Sequence, residues 1–281
     1  MSTRYVVAVD SSRPAAAAVR WAVDRARSDG AAIVLVHVLD DGAADDEVQQ
    51  GEHLLSETAD QLSTADPGLA VSTRCLTGSV PRALAAFVDA DDVLVIGTGK
   101  TGFLHGRVLG SRSVQIAAAV PCSVAVIPDL DLRFRRGVVA GVDRHSTAGT
   151  IARVAGSEAN RRAEELLLVQ AEAEVGTRPT ASLRPDLAIS EALLRAREVF
   201  PDLVIRSRVA GRPAAEALLD SARDKALLVL GPGSLDPARP PIGSVLHDVL
   251  LNANSPVLIS RPVEVHAAKS GAREAFSRED G

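Results

Sequence analysis

The sequence repeats itself at a nearly constant offset, and this repeat restricts the possible fold more than any single motif. Two apolar runs, residues 6–10 and 139–143, end in Asp10 and Asp143, which gives an offset of 133 in the numbering. Turn and strand-start residues recur at offsets between 133 and 135: Gly78 and Gly211, Gly97 and Gly231, Gly110 and Gly243, and Pro121 and Pro256. The pattern predicts one domain that is present in two consecutive copies.

The composition agrees with two domains and argues against several partners. A chain of 281 residues with 46% hydrophobic and only 2% aromatic residues is long enough for two cores built mainly of aliphatic side chains. The formal charge of −5 argues against nucleic acid or an anionic membrane as a partner. No apolar run reaches the roughly 20 residues of a membrane helix, and no signal segment is recognisable, so we expect a cytoplasmic protein. Cys75 and Cys122 lie in apolar runs and are expected to be buried.

Each copy alternates between strand-like and helix-like segments. In the first copy, an apolar run over residues 4–10 is followed by helix-start residues around Ser12 and by a helical apolar spacing that ends at Gly30. Such alternation is typical of parallel sheets with right-handed crossovers. The sequence therefore predicts an α/β fold of two tandem doubly wound domains, each a five-stranded, mainly parallel sheet in the order 3-2-1-4-5 with helices on both faces. We expect the domains at residues 1–129 and 136–263, and a disordered tail at residues 264–281.

A glycine-bearing loop after the fourth strand has the properties of a phosphate-binding site. In doubly wound sheets, ligands bind beyond the carboxyl ends of the strands, where the winding direction reverses. For the order 3-2-1-4-5, Asp10 and the loop that follows Gly97 face the same crevice. Glycines such as Gly99 and Gly110 let backbone amides approach an anion, and the helix that begins at Gly110 and Ser111 adds the positive end of its dipole and a hydroxyl. Asp10 can accept hydrogen bonds from a ribose or an adenine, or hold Mg²⁺.

Two better-known phosphate-binding motifs are only superficially present in this loop. A P-loop would need glycine at position 94, where the chain has Leu94 within a strand. The series Gly97, Gly99, Gly102 has the spacing of a dinucleotide fingerprint, but it follows the fourth strand and no helix begins directly after it. Neither motif accounts for the loop.

The residues around this loop resemble the universal stress protein family in its tandem, two-domain form. The family pattern has two glycines separated by two residues, then nine further residues before a third glycine that is followed by Ser or Thr, and an aspartate that ends the first strand. This chain keeps that spacing but has Lys100 in place of the second glycine. The resemblance implies a site for ATP, with or without Mg²⁺, whose candidate residues are Asp10, Val38, Gly97, Gly99, Lys100, Gly110, Ser111, Arg112 and Ser113. His37 lies near the expected adenine edge, as a ligand contact or as an ordinary surface histidine.

The second copy resembles the same pattern less closely. Its loop is one residue shorter and contains four prolines, which cannot donate backbone hydrogen bonds. Asp236 in this loop would repel a phosphate. We therefore expect the ligand mainly in the N-terminal copy, with a weaker second site at Asp143, Gly231, Gly243 and Ser244.

Three functional hypotheses remain open at this point. The first is an ATP-binding regulatory protein of the stress response. The second is a nucleotide-free scaffold with degenerate loops, and the third is a slow ATPase that uses Asp10, Lys100 and Ser111 around Mg²⁺. Because fifth strands commonly pair between domains in the family, the resemblance also implies an internal pseudo-dimer through residues 123–127 and 257–260. A homodimer of the whole chain is a further possibility.

Overall fold

Strands and helices alternate along both copies of the chain. The computed structural model describes residues 4–99, 112–143, 148–171, 186–233 and 242–261, so the predicted tail at 264–281 lies outside the described residues. The first copy contains β1 (Arg4–Ala8), α1 (Arg13–Asp29), β2 (Ala32–Leu39), α2 (Asp45–Ala65), β3 (Val71–Thr77), α3 (Val80–Phe87), β4 (Val93–Thr98), α4 (Arg112–Ala119) and β5 (Ser123–Pro128). The second contains β6 (Val138–Gly141), α5 (Ala148–Arg162), β7 (Leu166–Ala171), α6 (Asp186–Val199), β8 (Ile205–Ala210), α7 (Ala214–Ala222), β9 (Leu227–Leu230), α8 (Ser244–Leu251) and β10 (Val257–Ile259).

The strands of the described residues form one ten-stranded sheet in the order β3-β2-β1-β4-β5-β10-β9-β6-β7-β8. Among the described residues, all strand pairs within a copy are parallel, and the pair that joins β5 to β10 is the antiparallel one. The predicted fold class and the order 3-2-1-4-5 are therefore confirmed in each copy. The two five-stranded sheets are not separate, because the β5–β10 pair joins them edge to edge.

The strand register gives the true correspondence between the copies at this junction. Val124 of β5 and Val257 of β10 occupy the same position relative to their inner neighbours, β4 and β9, again at an offset of 133 in the numbering. The residues that follow them, Ala125 and Leu258, pair directly with each other. Equivalent residues are thus opposed in an antiparallel pair, which relates the two copies by an approximate twofold axis.

Aliphatic side chains fill the core on both faces of the sheet. One face is covered by α1, α2, α5 and α6, with fully buried Leu35 and Leu168 beneath them. The other face is covered by α3, α4, α7 and α8, over buried Leu94 and Leu228. Because parallel strands buried on both faces need apolar side chains in both directions, the strands inside the sheet are nearly continuous apolar runs, unlike the edge strands β3 and β8.

The outer edge of the first copy is more exposed than its sequence suggests. Strand β3 forms this edge, and its side chains are half-buried or exposed. The expectation that both cysteines are buried is therefore wrong for Cys75, which is exposed, and right for Cys122. Within the described ranges, the helices are all too short or too polar to cross a bilayer.

The ends of α1 follow from local sequence chemistry. Ser12 is the N-cap, and its Oγ accepts a hydrogen bond from Ala15 N at 3.3 Å. Gly30 ends the helix in the left-handed conformation at φ +62°, which glycine adopts without strain. The equivalent residue after α5 is Ala163, which has φ +52° although it carries a Cβ.

Candidate functional site

The topology brings two of the predicted site residues to one edge of the sheet. β1 and β4 are parallel neighbours, with Val7 opposite Val95, so their carboxyl ends lie side by side. Asp10 lies just after β1, and Gly97 lies near the end of β4. Because β1 leads toward β2 on one side while β4 leads toward β5 on the other, this edge is the switch point at which doubly wound sheets bind ligands.

A tight turn holds Asp10 at the mouth of this crevice. Its Oδ1 accepts a hydrogen bond from the backbone N–H of Ser12 at 3.0 Å, and the residue is exposed to solvent. Such a turn fixes the side chain relative to the start of α1. Arg13, the first residue of that helix, forms an ion pair with Asp129 at 3.3 Å but remains 89% exposed. The crevice therefore has a positioned carboxylate and a nearby guanidinium.

Gly97 has a packing role as well as its predicted role near a ligand. A Cβ built on Gly97 would lie 2.4 Å from the carbonyl carbon and 2.5 Å from the carbonyl oxygen of Pro14. The end of β4 is thus pressed against the first turn of α1, at a distance that only glycine allows. Gly99 differs, because its built Cβ would be 3.7 Å from Pro14 Cγ, an ordinary contact.

The carboxyl end of β2 lies beside that of β1 at the same edge of the sheet. Val38 is half-buried there and packs against the core of the α3 and α4 face. The preceding residue, His37, places Nδ1 at 2.7 Å from the carbonyl oxygen of Val9, so this nitrogen donates when it carries the proton. A Cβ built on Gly51 of α2 would lie 2.7 Å from His37 Cδ2. Sequence reasoning missed this contact, although a glycine inside a long helix is a signal of close approach.

The start of α4 provides the last described part of the predicted site. Arg112 is exposed, whereas Ser113 is 8% exposed and lies on the buried side of the helix. The first-turn N–H groups of a helix have no partner within the helix and favour an anion nearby. Lys100, Gly110 and Ser111 lie outside the described residues. Over the part of the chain that is described, no three His, Cys, Asp or Glu residues are grouped as a metal site.

The second copy has described residues at the equivalents of several site positions. Asp143 is exposed after β6, as Asp10 is after β1, and Gly231 directly follows β9, whereas Gly97 lies within β4. Gly243 N–H, however, donates to the carbonyl oxygen of Pro232 at 3.4 Å, and a Cβ built on Gly233 would lie 3.2 Å from Gly243 N. The two ends of this loop thus contact each other. Ser244, the first residue of α8, is exposed.

The fold and this crevice define a doubly wound α/β protein with two tandem copies and a candidate ligand site at the switch point of the first. Residues 1–128 match the model of the Universal stress protein family. A universal stress protein of Mycolicibacterium smegmatis is 26% identical over 299 residues, covering 93% of this chain and 98% of that protein. One of Mycobacterium tuberculosis is 27% identical over 288 residues, covering 92% and 97%.

Comparison with solved structures agrees with this assignment at the level of the fold. The crystal structure of a universal stress protein from Archaeoglobus fulgidus superposes with a TM-score of 0.69, covering 93% of this chain and 99% of that one at 16% identity. Residues 1–128 thus match the universal stress protein family, and the chain is similar over more than nine-tenths of its length to proteins of that name.

Proposed function

We propose that this protein is an adenine-nucleotide-binding regulator of the stress response in the cytoplasm, which holds ATP in the crevice of its N-terminal domain, residues 1–129. The observation that supports this best is the exposed carboxylate of Asp10, fixed by Ser12 at the switch point beside Gly97. A charged acceptor held in this way selects a ligand with N–H or O–H donors. Hydrogen bonds to an ionised carboxylate are stronger than those between neutral groups.

Each part of a nucleotide has a matching group in this crevice. Asp10 accepts from the ribose hydroxyls or the adenine amino group, and Val38 offers an apolar surface to the base. The phosphates meet the loop after Gly97 and the first turn of α4, where Arg112 is exposed. By the family pattern, Lys100, Gly110 and Ser111 complete the phosphate contacts. Where Mg²⁺ accompanies ATP, the phosphates would supply most of its ligands, and Asp10 would be its protein ligand in place of a contact with the ribose or the adenine.

The C-terminal domain, residues 136–263, has an architectural role in this proposal. Its Gly243 amide is directed at the Pro232 carbonyl, so that amide is engaged within the protein rather than presented to an anion. The domain then completes an internal pseudo-dimer, in which β10 continues the sheet of the first copy.

The direct test is to identify what the purified protein carries. Heat denaturation followed by mass spectrometry should release an adenine nucleotide, and added Mg-ATP should raise the melting temperature of nucleotide-free protein. If no nucleotide co-purifies and ATP, ADP and AMP all leave the melting temperature unchanged, the chain is a nucleotide-free scaffold. Release of phosphate above background, lost in Asp10→Ala, would instead favour a slow ATPase.

Matched substitutions test which copy binds. Asp10→Asn keeps an oxygen that can accept from Ser12 N–H but removes the charge, so we expect ATP affinity to fall about tenfold or more. Asp143→Asn, at the equivalent position, should leave it unchanged. Likewise Gly110→Arg should abolish the ATP-induced shift while Gly243→Arg should not. Equal effects in the two copies would refute the assignment to the N-terminal domain.

A further inference from the structure

Helices α1 and α5 are equivalent in the two copies and lie on the same face of the sheet, on either side of the approximate twofold axis. The offset found at the β5–β10 junction also aligns their left-handed C-terminal residues, Gly30 and Ala163. It aligns most of their buried positions as well. At this offset, Arg25 of α1 corresponds to Glu158 of α5, so one equivalent position has opposite charges in the two copies.

These two equivalent residues contact each other across the axis. Arg25 Nη2 forms an ion pair with Glu158 Oε1, and the two side chains are only 4% and 11% exposed. Arg161 donates to the same carboxylate, and also to Asp29 Oδ1 at 3.1 Å. The Trp21 ring lies against the Arg25 guanidinium, with its centroid 3.8 Å from Cζ. We call these five residues the axial charge cluster.

Burial makes the sign of each charge in this cluster important. Arg25 Nη1 has no hydrogen-bond partner among the described residues, so the pair with Glu158 is its main compensation. Burial lowers the pKa of Arg25 to about 10, and the negative charge of Glu158 opposes that change. The guanidinium is therefore still charged at neutral pH. A buried charge that faces a like charge in place of its partner is strongly destabilising.

We propose that the axial charge cluster makes the pairing face of the N-terminal copy selective for the C-terminal copy of the duplicated chain. In a pair of two N-terminal copies with the same geometry, Arg25 would face a second Arg25. Ser28 would occupy the position of Arg161, so the ion pairs of Arg161 would be lost. Two C-terminal copies would oppose Glu158 to Glu158. Only the mixed pair places opposite charges against each other at this buried position. The partner that fits this surface is therefore the other half of the chain, and this inference does not depend on nucleotide binding.

Charge reversal in the full-length chain tests the proposal. Arg25→Glu and Glu158→Arg each place like charges on the axis, whereas the double variant restores opposite charges. Hydrogen exchange of the β5 and β10 amides reports opening of the junction. We expect Glu158→Arg to accelerate this exchange at least about a hundredfold. The double variant should exchange at least about tenfold more slowly than Glu158→Arg. Incomplete recovery is expected because Arg161 then lies beside a second guanidinium on its own helix.

A control on the same helix separates the axis from general effects of charge. Arg27→Glu reverses a charge of α1 whose partner, Asp66, lies within the first copy at 2.7 Å. It should leave exchange of the β5 and β10 amides unchanged. If Glu158→Arg does not fold, the near-isosteric Glu158→Gln should accelerate the same amides about tenfold, since it removes only the charge.

Two results would overturn the proposal. The first is a double variant that exchanges as fast as the worse single variant, because the contact would then be steric rather than electrostatic. The second concerns selectivity and is measured by sedimentation. Glu158→Arg should have the same mass in solution as the wild-type chain, because freed N-terminal faces repel each other through Arg25. A larger species joined through those faces would show that the surface accepts a second copy of itself.

Discussion

Replacing Gly97 by alanine should destabilise the protein by forcing β4 and α1 apart. The added Cβ would lie 2.4 Å from the carbonyl carbon of Pro14 and 2.6 Å from the backbone nitrogen of Ala15, whereas ordinary contact begins at 3.4 Å. These are backbone atoms of a helix start, so they cannot turn away as a side chain does. The helix must move by about 1 Å, and such overpacking costs about 1–3 kcal/mol.

A smaller opposing effect sets the net magnitude. Alanine loses less conformational freedom than glycine on folding, which is worth about 0.4–1 kcal/mol in favour of the variant. The free energy of unfolding should therefore fall by about 1–2 kcal/mol. With a urea m-value of about 2 kcal/mol/M, the midpoint of unfolding falls by about 0.5–1 M. Trp21, the single tryptophan, is buried in α1 and reports the transition by fluorescence.

The matched control is Gly99→Ala, two residues further along. Its Cβ would meet only Pro14 Cγ, at 3.7 Å, so the free energy of unfolding should change by less than about 0.5 kcal/mol. A Gly97→Ala variant as stable as Gly99→Ala would refute the view that β4 and α1 are held at a distance only glycine permits.

Three further predictions concern single residues. Tyr5, the only tyrosine, has its pKa raised to about 12 by burial and by its hydrogen bond to Asp29. In a pH titration, the absorbance of its tyrosinate form should therefore have its midpoint at about pH 12. The stability it contributes is then complete below its ordinary value of 10 and lost as the pH rises through about 12; a midpoint near 10 would contradict this. Ala163→Gly should relieve a strained backbone and stabilise by up to about 1 kcal/mol in urea unfolding, whereas Gly30→Ala should destabilise by about 1–2 kcal/mol. Gly51→Ala should lower the free energy of unfolding by about 1–2 kcal/mol through displacement of His37. In a His37→Ala background, the same substitution should no longer carry this penalty.

The fold was largely predictable because it depends on patterns that the sequence repeats. Alternating apolar runs and helical spacings indicated doubly wound α/β domains, and the order 3-2-1-4-5 expected for such domains is the one observed in both copies. The repeat was misleading at one landmark. Pro121 and Pro256 share a residue type, but the register of β5 and β10 makes Ser123, two positions after Pro121, the equivalent of Pro256. A shared residue type is weaker evidence of equivalence than a shared hydrogen-bonded register.

The candidate site was predictable only in part. The aspartate at the end of a strand and the glycine at the end of another were visible as a pattern, and the topology placed Asp10 and Gly97 at one edge. The contact of Gly97 with Pro14 was not visible, because spacing along the chain does not give the distance between a strand end and a helix start. The hydrogen bond from His37 to Val9 was hidden for the same reason.

The antiparallel pairing of β5 with β10 has a geometric consequence for the two crevices. Strand direction reverses once along the sheet, at its middle, so the carboxyl ends of β1 and β6 point toward opposite sides of the molecule. The mouth beside Asp10 and the mouth beside Asp143 therefore open in opposite directions. No compact ligand can touch both, and a bulky partner docked at one leaves the other accessible. The residues around one crevice can therefore change in sequence without affecting the other, as long as the β5–β10 pair is kept.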